Sequence, residues 1–485
     1  MNLIQRIDHW AAAAPEAIAH VSGDRTLTYG ELRRQADGLA SHLTKSFPDD
    51  RRPIAVLGNR EPEMLIGFLG TVKSGRPYVP IDTALPQTRI DQILASSNAA
   101  LTLTPNEIRR LSTDEPYVPT LPVKKNDPFY ILFTSGSTGE PKGVIITLAS
   151  LEHFIRWMLS EQRFREGAEI FLNQAPFSFD LSVMDLYCSL ATGGTLFSIS
   201  RDLIENPKKL YNALTISAVT TWVSTPSFAR MCLVEDSFTE AILPRLRRFL
   251  FCGEILAPQT ASQLLARFPQ AQVWNMYGPT EATVATTSIQ IDAAILEKYS
   301  ALPVGRVMPK TRISIVDENG DEVLSEQRGE IIIAGPNVSP GYVGRPDLTA
   351  RVFFEYCGQR SYKTGDFGRF HDSLLFFDGR IDEQIKLTGY RIELGDIEAN
   401  LRALPAVRDA VVIPMIKNGA AQSLTAFVSL AVRNDTSKFQ LAHNLRSQLG
   451  DRLPVHMLPR KFVFLDAFPI TANGKVDRAA LIRSL

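Results

Sequence analysis

The stretch from Phe129 to Gly143 reads FYILFTSGSTGEPKG, and it decides the fold. Its first half is an unbroken apolar run, the signature of a strand buried on both faces in a parallel sheet. Its second half carries three glycines among hydroxyl residues, with a lysine just before the last of them. Glycine lets the backbone turn tightly and approach a ligand closely. Successive exposed N–H groups in such a loop form an anion-binding concavity. A strand end in an α/β sheet is where ligands bind. The stretch therefore reads as a phosphate-holding loop built from Thr134, Ser135, Gly136, Ser137, Thr138, Gly139 and Lys142. It is not a Walker A loop, because G-x-x-x-x-G-K-[ST] is absent.

Working outward, the same strand–helix rhythm recurs on both sides. IAVLG (54–58) and YVPID (78–82) read as strands flanking the helical EMLIGFLGTVKSG. FLNQAP, LSVMDLYCSLATGG and TLFSIS repeat the pattern over 171–200, and AVTTWVS, SFARMCLV and RFLFCGE repeat it over 218–254. Alternating strands and helices predict a mainly parallel sheet covered by helices. Beyond about residue 300 the texture changes to short strands, with an Asn-Gly turn in RISIVDENGDEV (312–323). The predicted architecture is α/β. A large N-terminal domain (1–381) includes a β-rich subdomain over about 300–381, and a small C-terminal α+β domain spans 382–485.

Composition narrows the function. The chain has 485 residues, too many for one ordinary core. It carries 52 Lys+Arg against 52 Asp+Glu, so no basic excess marks a nucleic-acid binder. The cysteines Cys188, Cys232, Cys252 and Cys357 are dispersed, which suggests reduced thiols rather than a disulfide framework or zinc site. No apolar run approaches the ~20 residues that span a bilayer, and the N-terminus lacks the pattern of a signal peptide. A cytoplasmic protein with no membrane insertion is expected.

Further segments extend the reading of the glycine-rich loop. They are NMYGPTE (275–281), YKTGD (362–366), GRIDEQIKLTGYRIE (379–393) and NGK (473–475), with LTYGEL (27–32) and SGRPYVPID (74–82) upstream. Together with TSGSTGEPKG they stand in the order found in the adenylate-forming superfamily. The chain thus resembles acyl-CoA synthetases, luciferases and the adenylation domains of peptide synthetases over nearly its whole length. The resemblance implies ATP and Mg2+, with a carboxylate attacking the α-phosphorus. Charge then builds on phosphate oxygens, and catalysis rests on positioning and electrostatics.

By this resemblance Glu281 ligates Mg2+, Thr280 contacts the α-phosphate, Tyr277 stacks on adenine and Asp366 binds the ribose hydroxyls near Arg380. Lys475 bridges the carboxylate and α-phosphate oxygens, so Lys475, Thr280 and Glu281 form the implied catalytic set. Gly253, Glu254, Asn275 and Gly278 complete the implied nucleotide site. Asp382 matches the hinge on which the small domain turns between two half-reactions, and Gly389 matches the loop that lines the thiol channel.

The segment FSFDLSVM (177–184) bears on the acid activated. An Asp in its Phe-Asp position marks amino-acid-activating members, where it pairs with the substrate ammonium. Asp180 fits that role, and it also fits a helix N-cap before LSVMDLY. The surrounding segments are more similar to the family's D-alanine–carrier protein ligases than to peptide-synthetase domains. The implied pocket is Asp180, Leu181, Met184, Val223, Leu250, Cys252, Met276, Val284 and Ala285. Its only charge is Asp180, which implies a small uncharged side chain. Met276 departs from the smaller residue that related ligases carry there. D-alanine is the expected substrate, with L-alanine, glycine and L-proline as alternatives. No Gly-Gly-x-Ser carrier motif follows Lys475, so a separate acidic carrier protein with a phosphopantetheine thiol is expected. Lys386, Arg391, Arg402 and Arg408 are candidates to dock it.

Overall fold

The computed structural model describes residues 1–113, 123–136, 140–380, 384–387, 390–417, 420–431, 437–466, 468–469, 476 and 478–485. Of the site residues named above, Ser137, Thr138, Gly139, Asp382, Gly389 and Lys475 lie outside the described residues. The chain divides into two units. The first comprises Met1–Thr83, Leu94–Phe133 and Gly143–Ile381, and the second Ala84–Ile93, Thr134–Lys142 and Asp382–Leu485.

Among the described residues of the first unit, strand Ile54–Gly58 pairs in parallel with both Tyr78–Asp82 and Leu101–Leu103. Tyr78–Asp82 continues in parallel to Pro128–Thr134, the strand that leads into the glycine-rich loop. A larger sheet is parallel through its middle, in the order Gln272–Tyr277, Arg248–Phe251, Thr221–Ser224, Ile170–Asn173, Thr195–Ser198, Ile18–Ser22. Antiparallel strands extend both edges, Thr287–Ile291 followed by Arg306–Val307 on one and Arg25–Thr28 on the other. The α/β architecture expected from the strand–helix rhythm is therefore present. The β-rich texture beyond residue 300 is an antiparallel sheet of Arg312–Val316, Gly329–Ala334, Gln359–His371, Phe353–Tyr356 and Leu374–Arg380.

Local sequence explains these elements. Strand Ile54–Gly58 is buried at four of its five residues, as expected for a parallel strand covered on both faces. Every residue of helices Pro62–Lys73 and Leu181–Thr192 is buried: most are apolar, and the charged ones have partners, Glu63 with Arg25 and Arg109, Lys73 with Asp8 and Asp37, and Asp185 with Asn173. Helix Tyr29–Ser46 starts at a capping box, in which Thr28 accepts from Glu31 N and Glu31 accepts from Thr28 N. The second unit has its own core. Ile392, Ile397, Leu401, Val412, Ala426, Val428 and Leu449 pack between the hairpin Val407–Lys417/Ala420–Leu430 and the helices Leu394–Arg402 and Lys438–Gly450. No helix among the described residues is long and apolar enough to cross a membrane.

Candidate active site

Strand Gln272–Tyr277 delivers the chain to a tight loop at residues 278–286. Gly278 opens it, and a Cβ there would meet Ala285 Cα at 2.6 Å and Thr286 N at 2.9 Å. Thr286 N donates to Tyr277 O at 2.7 Å and closes the loop. Thr280–Ala282 forms a 3-10 turn, followed by Thr283 and Val284 at φ of 59° and 70°. Left-handed backbone in a threonine and a β-branched valine costs energy and persists only where its surroundings enforce it. The loop thus holds Thr280, Glu281 and Val284 in a fixed array.

Asp180 begins helix Leu181–Thr192 but does not cap it with its side chain. Its backbone is helical, and the first N–H groups go to carbonyls, Ser182 N to Phe179 O and Val183 N to Asp180 O. Instead, Asp180 Oδ2 accepts from Thr280 Oγ1 at 2.7 Å. The N-cap alternative is therefore not what the carboxylate does here. Both residues are buried, with Asp180 8% exposed.

The remaining residues of the implied pocket are apolar and buried. Val223 lies beside Leu250 in the parallel sheet, and Leu250 beside Trp274. Met276 is two residues beyond Trp274 on the same strand and so faces the same side. Leu181, Met184, Val223, Leu250, Cys252, Met276, Val284 and Ala285 all belong to one buried hydrophobic cluster. Cys252 Sγ donates to Val284 O at 3.6 Å, which ties the strand end to the left-handed turn. The Tyr130 hydroxyl is buried with no hydrogen-bond partner among the described residues. Burial first, then Tyr78 and Asp180, push its pKa well above the usual phenol range.

A second carboxylate lies beside Tyr277, the last residue of the strand that leads to the 3-10 turn. Asp366 accepts from Tyr277 Oη at 2.6 Å and from Arg380, its register partner in the antiparallel sheet. Burial, and next the Asp366 charge, raise the Tyr277 pKa well above its ordinary value, so this hydroxyl stays a donor. The third carboxylate, Glu281, is fully buried and accepts from Tyr342 Oη at 2.8 Å.

Asn275 turns differently from Met276. Its Nδ2 donates to Pro303 O at 2.8 Å, and its Oδ1 is buried with no partner among the described residues. Gly253 takes φ of 92°, a conformation suited to glycine, and Glu254 accepts from Ser227 N at the start of helix Pro226–Cys232. Within the second unit, Ser135 Oγ accepts from Glu393 N at 3.2 Å, and Lys142 Nζ lies 3.7 Å from Glu393 Oε1. Also there, Gly136 admits no side chain, since a Cβ would meet Glu140 O at 2.2 Å. Arg402 is engaged by Glu398 and Asp409. Thr134 Oγ1 is buried with no partner among the described residues.

Reading the motifs did not single out Asn337, Ser339 or Tyr342. Ser339 N donates to Glu281 O at 2.9 Å, and Asn337 Nδ2 donates to Ala282 O at 3.0 Å. The signal was a Gly/Pro-rich run, GPNVSPGYVG (335–344), after the apolar GEIIIA. Loop residues beside a rigid scaffold are where function concentrates.

No group of three or more His, Cys, Asp or Glu residues that could hold a metal ion occurs among the described residues. A cation at Glu281 would therefore take its other oxygen ligands from phosphate and water, the mode Mg2+ favours.

The description AMP-binding enzyme matches residues 7–343, and AMP-binding enzyme C-terminal domain matches residues 396–475. The D-alanine–D-alanyl carrier protein ligase of Bacillus mycoides is 45% identical over 500 residues, covering 99% of each chain. Its counterpart in Bacillus anthracis is 44% identical with the same coverage. Among solved structures, the Vibrio cholerae adenylation domain AlmE, in complex with glycyl-adenosine-5'-phosphate, superposes with a TM-score of 0.86 at 22% identity, covering 100% of this chain and 98% of that one. An NRPS protein containing adenylation and PCP domains, PA1221, superposes with a TM-score of 0.84 at 26% identity, covering 100% and 84%. The chain belongs to the AMP-binding enzyme family.

Proposed function

We propose that this protein is an ATP-dependent ligase that activates D-alanine as its adenylate and transfers it to the phosphopantetheine thiol of a separate carrier protein. The observation that carries this reading is the buried Asp180–Thr280 pair at the head of an otherwise apolar pocket. It offers one negative charge for an ammonium and only apolar surface for a side chain. High identity along the whole chain to D-alanine–D-alanyl carrier protein ligases supports the same substrate.

In the first half-reaction the amino-acid carboxylate attacks the α-phosphorus of ATP, and pyrophosphate leaves. Asp180 pairs with the ammonium and fixes the orientation of the attacking carboxylate. Thr280, bonded to Asp180 and adjacent to Glu281 in sequence, stands where ammonium and α-phosphate subsites meet. Tyr277 and Arg380 hold Asp366 ready to accept from the ribose. Mg2+ bound with ATP would neutralise phosphate charge, held on the protein by Glu281. Thr134 and the rest of the glycine-rich loop would cradle the outgoing phosphates, and Lys475 would meet charge developing at the α-phosphorus. In the second half-reaction the carrier thiol attacks the adenylate carbonyl, and AMP leaves. We place the boundary between a large catalytic domain and the lid that carries Lys475 at 381/382, with Asp382 as hinge. An acidic carrier protein and a cytoplasmic site of reaction, where ATP is supplied, complete the proposal.

Amino-acid-dependent ATP–pyrophosphate exchange over a panel of D- and L-amino acids tests it. D-alanine is expected to support the fastest exchange. Equal or faster exchange with glycine, L-alanine or L-proline would replace D-alanine as the substrate.

A further inference from the structure

The Glu281 turn is held from segment 337–343 in two separate ways. The backbone is held by Ser339 N on Glu281 O and by Asn337 Nδ2 on Ala282 O. Thr283 Oγ1 also donates to Asn337 O at 2.7 Å. The side chain is held by Tyr342, whose hydroxyl donates to Glu281 Oε1 at 2.8 Å. A carboxylate only accepts, so the direction of that bond is fixed.

Tyr342 itself cannot swing freely. It pairs with Val144 across a two-residue antiparallel ladder, and Val343 N donates to Gly143 O at 2.8 Å. Its own N–H donates to Thr349 Oγ1 at 3.0 Å. Its ring packs edge-on against Phe353, with centroids 5.3 Å apart. The hydroxyl is thus aimed from the short strand Gly341–Tyr342, which pairs with Lys142–Thr147, onto the carboxylate of the 3-10 turn.

We infer that Tyr342 is a positioning residue for metal binding: its hydroxyl sets the rotamer of the Glu281 carboxylate and thereby the affinity for the divalent cation that accompanies the nucleotide. This inference rests on the proposed role of Glu281 as the metal ligand. Groups that orient a ligating carboxylate tune the metal it holds. Because Ser339 and Asn337 hold the backbone independently, loss of the hydroxyl removes a donor that orients the carboxylate and leaves the turn in place.

The test uses the full-length chain with Mn2+ as a paramagnetic stand-in and a non-hydrolysable α,β-methylene ATP analogue. Mn2+ binding to the protein–analogue complex is titrated by electron paramagnetic resonance. AMP binding in EDTA and the melting temperature are measured alongside. Tyr342→Phe keeps the ring and its packing on Phe353. It is expected to weaken Mn2+ binding by about tenfold or more, while metal-free AMP affinity and melting temperature match the parent. Unchanged Mn2+ affinity, or an equal loss of AMP affinity in EDTA, would overturn the positioning role. Glu281→Gln separates the two layers of the argument. If it loses Mn2+ and Tyr342→Phe does not, the positioning role alone falls. If Glu281→Gln binds Mn2+ as the parent does, the ligand role of Glu281 falls and the inference with it.

Discussion

Replacing Asp180 by Asn removes a charge while keeping a geometry. Asp180 Oδ2 accepts from Thr280 Oγ1 at 2.7 Å, and an Asn carbonyl oxygen can take the same bond. The protein should fold as before and bind AMP as before. What changes is the environment of the substrate ammonium. With Asp180 8% exposed and the rest of the proposed pocket in one buried apolar cluster, no second carboxylate belongs to that residue set. Breaking a buried charge pair by removing one partner costs about 3–5 kcal/mol. That corresponds to a loss of roughly 10²- to 5 × 10³-fold in kcat/KM for D-alanine, carried largely by KM. The assay is ATP–pyrophosphate exchange with D-alanine and, in parallel, with propionate, which has the same carbon chain and no ammonium. The variant should discriminate far less between the two acids. Asp180→Ala should lose activity similarly and also about 1–3 kcal/mol of stability, since Thr280 Oγ1 then lacks its acceptor. Unchanged kcat/KM in Asp180→Asn, or a matching fall in AMP affinity, would refute the assignment of Asp180 to the ammonium.

Other expectations follow from the same geometry. Tyr277→Phe keeps the ring but removes one donor from Asp366, so calorimetry should show AMP binding weakened by about tenfold, with KM for the amino acid unchanged. Gly278→Ala drives a Cβ to 2.6 Å from Ala285 Cα. It should lower stability by about 1–3 kcal/mol and disturb AMP and amino-acid binding together, seen in melting curves and exchange assays. Buried His20 has its pKa lowered to about 3, first by desolvation. Ser198 Oγ donates to Asn173 Oδ1, so His20 Nε2 donates to Ser198, and His20 Nδ1 has no partner among the described residues. The native state thus binds fewer protons than the unfolded state between pH 6.5 and about 3. Stability from this group is intact above that window and falls as pH drops through it. Compared with His20→Gln, the parent should lose stability with a slope approaching ~1.4 kcal/mol per pH unit, read from urea unfolding at stepped pH.

Much of the site was legible because its chemistry sits in short contiguous motifs. Apolar runs such as IAVLG and YVPID gave strands at 54–58 and 78–82, since a strand buried on both faces has no polar alternation to confuse its reading. Pairings across the chain were not legible. Asp180 and Thr280 are 100 residues apart, and Glu281 and Tyr342 are 61 apart. Periodicity reports which face a residue takes, and carries no information on which distant side chain meets it. The N-cap reading of Asp180 failed because its carboxylate accepts from that distant hydroxyl instead. Asn275 shows the same limit, because its motif neighbours suggest the nucleotide while its amide reaches Pro303 O. The turn from Thr283 to Val284 was hidden for another reason. Neither residue favours left-handed backbone, so local propensity argues against the conformation that the closed loop imposes.

The most direct measurement is mass spectrometry of a phosphopantetheinylated carrier protein after reaction with the enzyme, ATP, Mg2+ and equal amounts of deuterated D-alanine and unlabelled L-alanine. The account predicts a carrier bearing one deuterated alanyl group as a thioester, formed only when ATP is present. A carrier that stays unmodified, or one that carries the unlabelled L-alanyl group, would contradict it.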